Sequence, residues 1–351
     1  MPHPLTRRDL IAGSLGLGAA ALLGGCTTSA TAPPTGPIGA PPTPSLGKPA
    51  VTAVLRPGES QVDLGGIIAR TWCYDGRVPG TLLRATAGEV VQVRVHNALP
   101  VETSVHWHGI ALHNAADGVP GLTQDAITAG ADYTYTFTAP DPGTYFFHPH
   151  SGVQIDRGLY APMIIDDPAE PGAYDHEWVL VLDDWTDGVG SSPDDILAAF
   201  QAERGTVSGG MNHDMSGMGG MGHSPLGDVG DIAYPHYLIN GRVPAAPSTL
   251  TAKPGQRARI RLINAAADTL FRLALGEHTM TVTHTDGFPV QPVETPALYL
   301  AQGERVDVLV TLGDGVFPLV AHAEGKDGQG LALIRTGAGS RPAADVHPSE
   351  L

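Results

Sequence analysis

From Val51 onward the dominant pattern is strict alternation. Val91, Val93 and Val95 alternate with Gln92, Arg94 and His96, and Tyr133, Tyr135 and Phe137 alternate with threonines. Successive side chains of a strand point to opposite faces, so a period of two predicts strands with one face in a core and the other wet. The clearest helical signal is Ser192-Pro193-Asp194-Asp195, an N-cap with Pro at the first helical position, which predicts a short helix through Phe200. The predicted fold class is all-β.

The strand pattern repeats. Gly76-Arg77-Val78-Pro79 recurs as Gly241-Arg242-Val243-Pro244. Gly88 leads an alternating strand to Asn97, as Gly255 does to Asn264, and Gly143-Thr144-Tyr145-Phe146-Phe147-His148 is echoed by Gly315-Val316-Phe317-Pro318-Leu319-Val320. Ordered matches at three places predict two homologous β-sandwiches, about 50–168 and about 172–337, with Trp178 to Leu182 starting the second. A Gly-rich insertion, about 205–231, interrupts the second and carries Met211, Met215, Met218, Met221, His213 and His223, followed at the far end by a tail over 338–351.

Composition agrees with short strands and many turns, since 45 Gly and 31 Pro stand among 351 residues. A formal charge of -16 excludes nucleic acid as a partner, because like charges repel. Residues 1–25 read as an export signal: Thr6-Arg7-Arg8-Asp9-Leu10-Ile11 opens an apolar run that closes at Leu23-Gly24-Gly25-Cys26. The paired arginines resemble a twin-arginine signal and the closing residues a bacterial lipobox, which makes Cys26 the lipidated residue and places the mature chain at the outer face of a cytoplasmic membrane. A cleaved leader with an incidental cysteine is the alternative. Residues 26–49, rich in Pro, Thr, Ala and Gly, read as a disordered tether. With Cys26 processed, Cys73 has no disulfide partner, and it reads as a small packing residue.

Candidate chemistry lies in two His-x-His pairs, His106 with His108 and His148 with His150. Residues i and i+2 of a strand share a face, so two such pairs on neighbouring strands make a four-nitrogen cluster suited to copper or zinc. His113, His236, His278, His284 and His322 have no partner at ligand spacing.

These pairs, together with Gln154, Gly158, Leu159, Tyr237-Leu238-Ile239-Asn240-Gly241-Arg242 and Gly303-Glu304-Arg305-Val306-Asp307-Val308, resemble the first two domains of a multicopper oxidase of the bacterial copper-resistance type. The resemblance implies tandem cupredoxin-like Greek-key sandwiches. It assigns His106 to a type 2 copper and His108, His148 and His150 to a type 3 pair, within a trinuclear centre that reduces dioxygen to water at the expense of Cu(I) or another small reducing substrate. It also assigns Asp117 a proton-relaying role beside that centre, although an Asp-Gly turn is an equal reading of Asp117-Gly118. The methionines and histidines of the insertion resemble Cu(I)-handling segments, thioethers being soft, neutral ligands; ornament in a Gly-rich loop is the alternative.

The sequence departs from that family in two respects. It carries no His-Cys-His run for a type 1 copper, and it holds half of the trinuclear ligands. Three readings follow: a fragment of an oxidase that continues into a third domain after Leu351, a copper-sequestering lipoprotein without turnover, and a chain completed by a separate partner.

Overall fold

The computed structural model describes residues 46–170, 174–206, 230 and 232–339. The expected leader, Cys26, most of the tether, the methionines and histidines between 211 and 223, and nearly all of the tail lie outside the described residues.

The first set of strands is β1 (Val51–Leu55), β2 (Pro57–Asp63), β3 (Ile68–Tyr74), β4 (Leu83–Thr86), β5 (Val90–His96), β6 (His106–His108), β7 (Asp132–Thr138), β8 (Gly143–His148) and β9 (Ala161–Asp166). They form a three-stranded sheet in the order β1-β5-β7, a four-stranded sheet β4-β9-β8-β6 and the hairpin β2-β3. The alternation read in the sequence sets which face is dry. Val91, Val93, Val95, Tyr135 and Phe137 meet Trp107, Tyr145, Phe147, Met163 and Ile165 in one core between the two larger sheets.

The second set is β10 (His176–Trp185), β11 (His236–Ile239), β12 (Ser248–Thr251), β13 (Arg257–Asn264), β14 (Phe271–Leu275), β15 (Met280–Thr285), β16 (Phe288–Thr295), β17 (Ala297–Leu300), β18 (Arg305–Thr311), β19 (Val316–Ala323) and β20 (Gln329–Arg335). Its sheets run β11-β10-β13-β18-β15-β16 and β12-β20-β19-β14-β17 around a second core that includes Ile260, Leu262, Phe271, Leu273, Val308 and Ala321. All-β architecture is thus observed, and the repeat extends to pairing. β1 lies parallel to β5 as β10 does to β13, β5 is antiparallel to β7 as β13 is to β18, and β4 lies parallel to β9 as β12 does to β20.

Two of the sequence repeats have the same physical job in both halves. Asp75-Gly76 (φ 52° and 73°) and Asn240-Gly241 (φ 52° and 71°) make the same left-handed turn, which Gly, Asp and Asn tolerate best. A side chain at Gly241 would meet the Val78 carbonyl oxygen at 2.1 Å, so one turn rests on the other. Asn97 donates its amide to the Val101 and Ile127 carbonyls and accepts from the Leu99 N–H. Asn264 does the same with Thr269, Leu300 and Ala266, closing the loop that leaves the strand.

The helix signal holds at its start: Ser192 Oγ accepts the Asp195 N–H at 3.2 Å. Its end differs from the expectation, because α1 (Pro193–Thr206) continues past Phe200. Gln201-Ala202-Glu203-Arg204 are good helix formers, so nothing stops the helix at Phe200, and Gly205 and Thr206 belong to it and not to the insertion.

The seam between the sandwiches includes a buried ionic knot. Asp307 accepts from Arg259 (2.6 Å) and Arg261 (3.0 Å) of β13, and its other oxygen accepts the hydroxyl of Thr144 from β8 at 2.7 Å. Glu170 and Glu177 pair with the remaining faces of the two guanidinium groups. Here charges are buried only because each is matched.

Candidate metal centre

β6 and β8 are antiparallel neighbours with His106 opposite His148 and Trp107 opposite Phe147. Trp107 is fully buried, its ring 4.8 Å from that of Phe137, 5.2 Å from Phe147 and 5.7 Å from Tyr135. Pinning Trp107 into the core forces His106 and His108 to the opposite face, and Phe147 does the same for Phe146 and His148. The two-residue spacing thereby becomes a shared surface.

On that surface the imidazoles gather. Ring centroids lie 4.5 Å apart for His106 and His150, 5.2 Å for His148 and His150, 5.3 Å for His108 and His148, and 5.6 Å for His106 and His148. His150 does so from beyond the end of β8, which stops at His148, so its place comes from a loop contact and not from strand geometry: the His150 N–H donates to Ser104 Oγ at 2.9 Å. His150 is exposed at the mouth while His148 is buried.

Each ring is oriented by its neighbours. His106 Nδ1 donates to the Asp117 carbonyl at 2.8 Å, leaving Nε2 as the acceptor nitrogen. His148 Nδ1 donates to the Pro149 carbonyl at 3.0 Å, and His108, stacked on Phe146 at 4.4 Å, points Nδ1 at His148 Nε2 from 3.1 Å. Burial, then Arg305 and the neighbouring rings, pulls the His108 pKa down to about 4. Burial and His108 pull that of His148 to about 3, and burial with His106 lowers His150. Neutral rings keep their lone pairs, which is what metal binding requires.

Asp117 lies in a turn and close to the histidines. It caps a 3-10 turn over Asn114–Ala116 and precedes Gly118, where a side chain would sit 1.8 Å from the Val105 carbonyl oxygen. Its partly exposed carboxylate also lies 3.5 Å from His106 Nδ1. Cys73 is buried with Val62, Leu64, Trp185 and Leu238, and burial raises its thiol pKa, as suits a packing residue.

The second sandwich contributes residues that the sequence marked only as scaffold. A side chain on Gly303 would press within 2.9 Å of the His108 ring, and one on Gly109 would meet the Arg305 guanidinium at 2.2 Å. Arg305 donates to the Thr144 and Gly303 carbonyls at 3.2 and 2.8 Å. The signal that could have revealed them is the lack of any side chain at Gly109 and Gly303, where the backbone of one sandwich meets a side chain of the other. Among the described residues no three His, Cys, Asp or Glu side chains surround one ion position. The four rings therefore form a face from which ions could be held in part, and their all-imidazole donor set fits copper.

Fold and cluster together define a tandem β-sandwich protein with an imidazole-lined face. The chain belongs to the multicopper oxidase family: two models of that description match residues 58–170 and 176–339. It is 53% identical over 300 residues to Multicopper oxidase MmcO of Mycobacterium tuberculosis, an alignment covering 86% of this chain and 59% of that protein. It is 33% identical over 312 residues to the Copper resistance protein A homolog of Pseudomonas syringae pv. tomato, covering 83% of this chain and 52% of the relative. The chain thus spans little more than half the length of these curated relatives. Among solved structures, the Blue Copper Oxidase from Nitrosomonas europaea superposes with a TM-score of 0.65 at 25% identity, covering 81% of this chain and 85% of that one.

Proposed function

We propose that this chain supplies half of the oxygen-reducing copper centre of a copper-dependent oxidoreductase. The enzyme couples oxidation of Cu(I), or of phenolic or metal donors, to reduction of dioxygen to water and so detoxifies copper. The observation that carries the reading is the set of four oriented imidazoles on one face, with no three of them around a single position. Ions that take only part of their shell from these rings would complete it with ligands other than these four. When bound, copper supplies the one-electron steps and the oxygen affinity that imidazole lacks.

By position in the motif, His106 would hold the type 2 ion and His108, His148 and His150 the type 3 pair. Asp117 would orient His106 through its carbonyl and offer its carboxylate for proton transfer. The export signal, lipidation of Cys26, an envelope location and Cu(I) handling by the Met/His segment belong to the same proposal. A non-catalytic copper-sequestering role is the second reading, favoured by one observation: Cys73 is packed among apolar side chains and offers no thiolate for electron entry.

Copper content after dialysis and the nitrogen couplings in the Cu(II) electron paramagnetic resonance spectrum test the site directly. Wild type should retain copper with several nitrogen ligands, and the H106A/H148A double variant should lose it. Equal copper in both proteins would remove the histidine centre and with it the function proposed here. Oxygen uptake with Cu(I) after completion of the ligand set separates the two readings: turnover supports the oxidase, and tight binding without uptake supports sequestration.

A further inference from the structure

Away from the histidines, the sandwiches meet at a second buried seam, of a different kind from the Asp307 knot. Asp156 lies on the 3-10 turn Gln154–Asp156, which follows the His148–His150 segment, and accepts the Tyr234 hydroxyl at 3.1 and 3.3 Å. Tyr160 donates in the other direction, from the first sandwich to Asp183 of β10, at 2.6 Å. Asp156, Tyr160, Asp183 and Tyr234 are all buried, and among the described residues no side chain other than Tyr160 hydrogen-bonds the Asp183 carboxyl.

Charge around this seam is not balanced. Asp184, Asp187 and Asp268 face Asp156, and Asp184 and Asp156 face Asp183. Asp184 is fully engaged by the Ala267 and Asp268 N–H groups and the Thr269 hydroxyl. Of the neighbouring cations, Lys326 is bonded to Asp268 at 2.7 Å, its ammonium 5.4 Å from the Tyr234 ring centre, and Arg157 is bonded to Asp187 at 2.9 Å and to Asp194. Among the described residues no cation pairs with Asp156 or Asp183, in contrast to the paired carboxylates of the knot.

We propose that these two phenol–carboxyl contacts form a proton-operated latch between the sandwiches: it is shut when Asp156 is neutral and loosens when Asp156 loses its proton. Ionisation strengthens the Tyr234 hydrogen bond itself, but it puts a charge into a buried place that faces other acids, and burial with Asp184 outweighs that one bond, so the seam is stable with Asp156 neutral. Asp156 stands six residues after His150, so the latch fixes the far end of the connection that leaves the histidine segment.

Burial first, and Asp184 next, lifts the Asp156 pKa from 3.8 up to about 7. Burial first, and Asp184 next, also raise the Asp183 pKa well above its ordinary range. The unfolded chain releases the Asp156 proton near its ordinary pKa and the native protein near 7. Stability from the neutral carboxyl is therefore complete in acid and is lost progressively as pH rises between those two values, by tenfold in the folding constant per pH unit.

The test is urea unfolding of the copper-free protein at about pH 5 and about pH 8. Asp156→Asn is neutral at every pH, so the ratio of folding constants between the two conditions should be larger in wild type by roughly a hundredfold. Indistinguishable pH dependence in the two proteins overturns the latch. Should Asp156→Asn not fold, Tyr234→Phe removes a group that favours the carboxylate and should move the loss of stability to higher pH; an unmoved profile overturns the latch as well. In wild type, hydrogen-exchange protection of residues 154–160 and 232–239, corrected for intrinsic pH effects, should fall at the higher pH while that of β5 and β13 does not. Unchanged protection at the seam is the contrary result.

Discussion

In the first sandwich the pair β6–β8 sets His106 opposite His148; in the second, the matching pair β14–β19 sets Ala274 opposite Val320. The correspondence follows from the repeat, because Val320 stands as far after Gly315 as His148 does after Gly143. The backbone plan is shared, but where one pair sets two imidazoles opposite each other the other sets Ala274 and Val320, with Val320 buried beside Leu331 and Leu333. Strand pairing provides the geometry and a handful of side chains decides the chemistry. The second sandwich contributes by bracing, through Gly303 against His108 and Arg305 against Gly109.

The strongest way to break this division of labour is at the shared knot. Asp307→Ala leaves Arg259 and Arg261 buried without their common partner and removes the acceptor for Thr144, and it should cost about 3–5 kcal/mol in equilibrium unfolding. A loss confined to the second sandwich, with the first unchanged, would show that the halves are not energetically joined there. Next in size, Val320→His places an unpaired polar ring in a filled site and should cost about 2–4 kcal/mol without raising copper content. Copper gained by that variant would mean that strand register alone suffices for a site. Smallest, Asn97→Ala and Asn264→Ala each strip two carbonyls and one N–H of their partner and should cost about 1–3 kcal/mol apiece, by similar amounts. Markedly unequal losses would mean that the repeat is conserved in shape but not in energetics.

Strand periodicity, the three repeated segments and the two His-x-His pairs were legible because each is a local pattern. Val91, Val93 and Val95 face a core wherever that core lies, and His106 and His108 share a face in any strand. Asp117 was legible as a turn, and the structure shows that turn with its carboxylate 3.5 Å from His106 Nδ1. The end of α1 was not, because no breaker residue stands at Phe200. Gly303 and Arg305 were not either: they lie nearly 200 residues from His106 and His108, and nothing in a linear pattern says which loop of the second sandwich will meet which strand of the first.

What the sequence alone determined, then, is the all-β class, the duplication, and the supply of four imidazoles in two local pairs, since backbone periodicity and residue chemistry act over a few positions. Only tertiary structure decided that the two pairs lie on adjacent strands, that His150 joins them through Ser104, and that one seam between the sandwiches is ionically matched while the other holds unmatched carboxyls. Those outcomes depend on burial and on which distant groups share a low-dielectric space, and burial is a property of the packed whole.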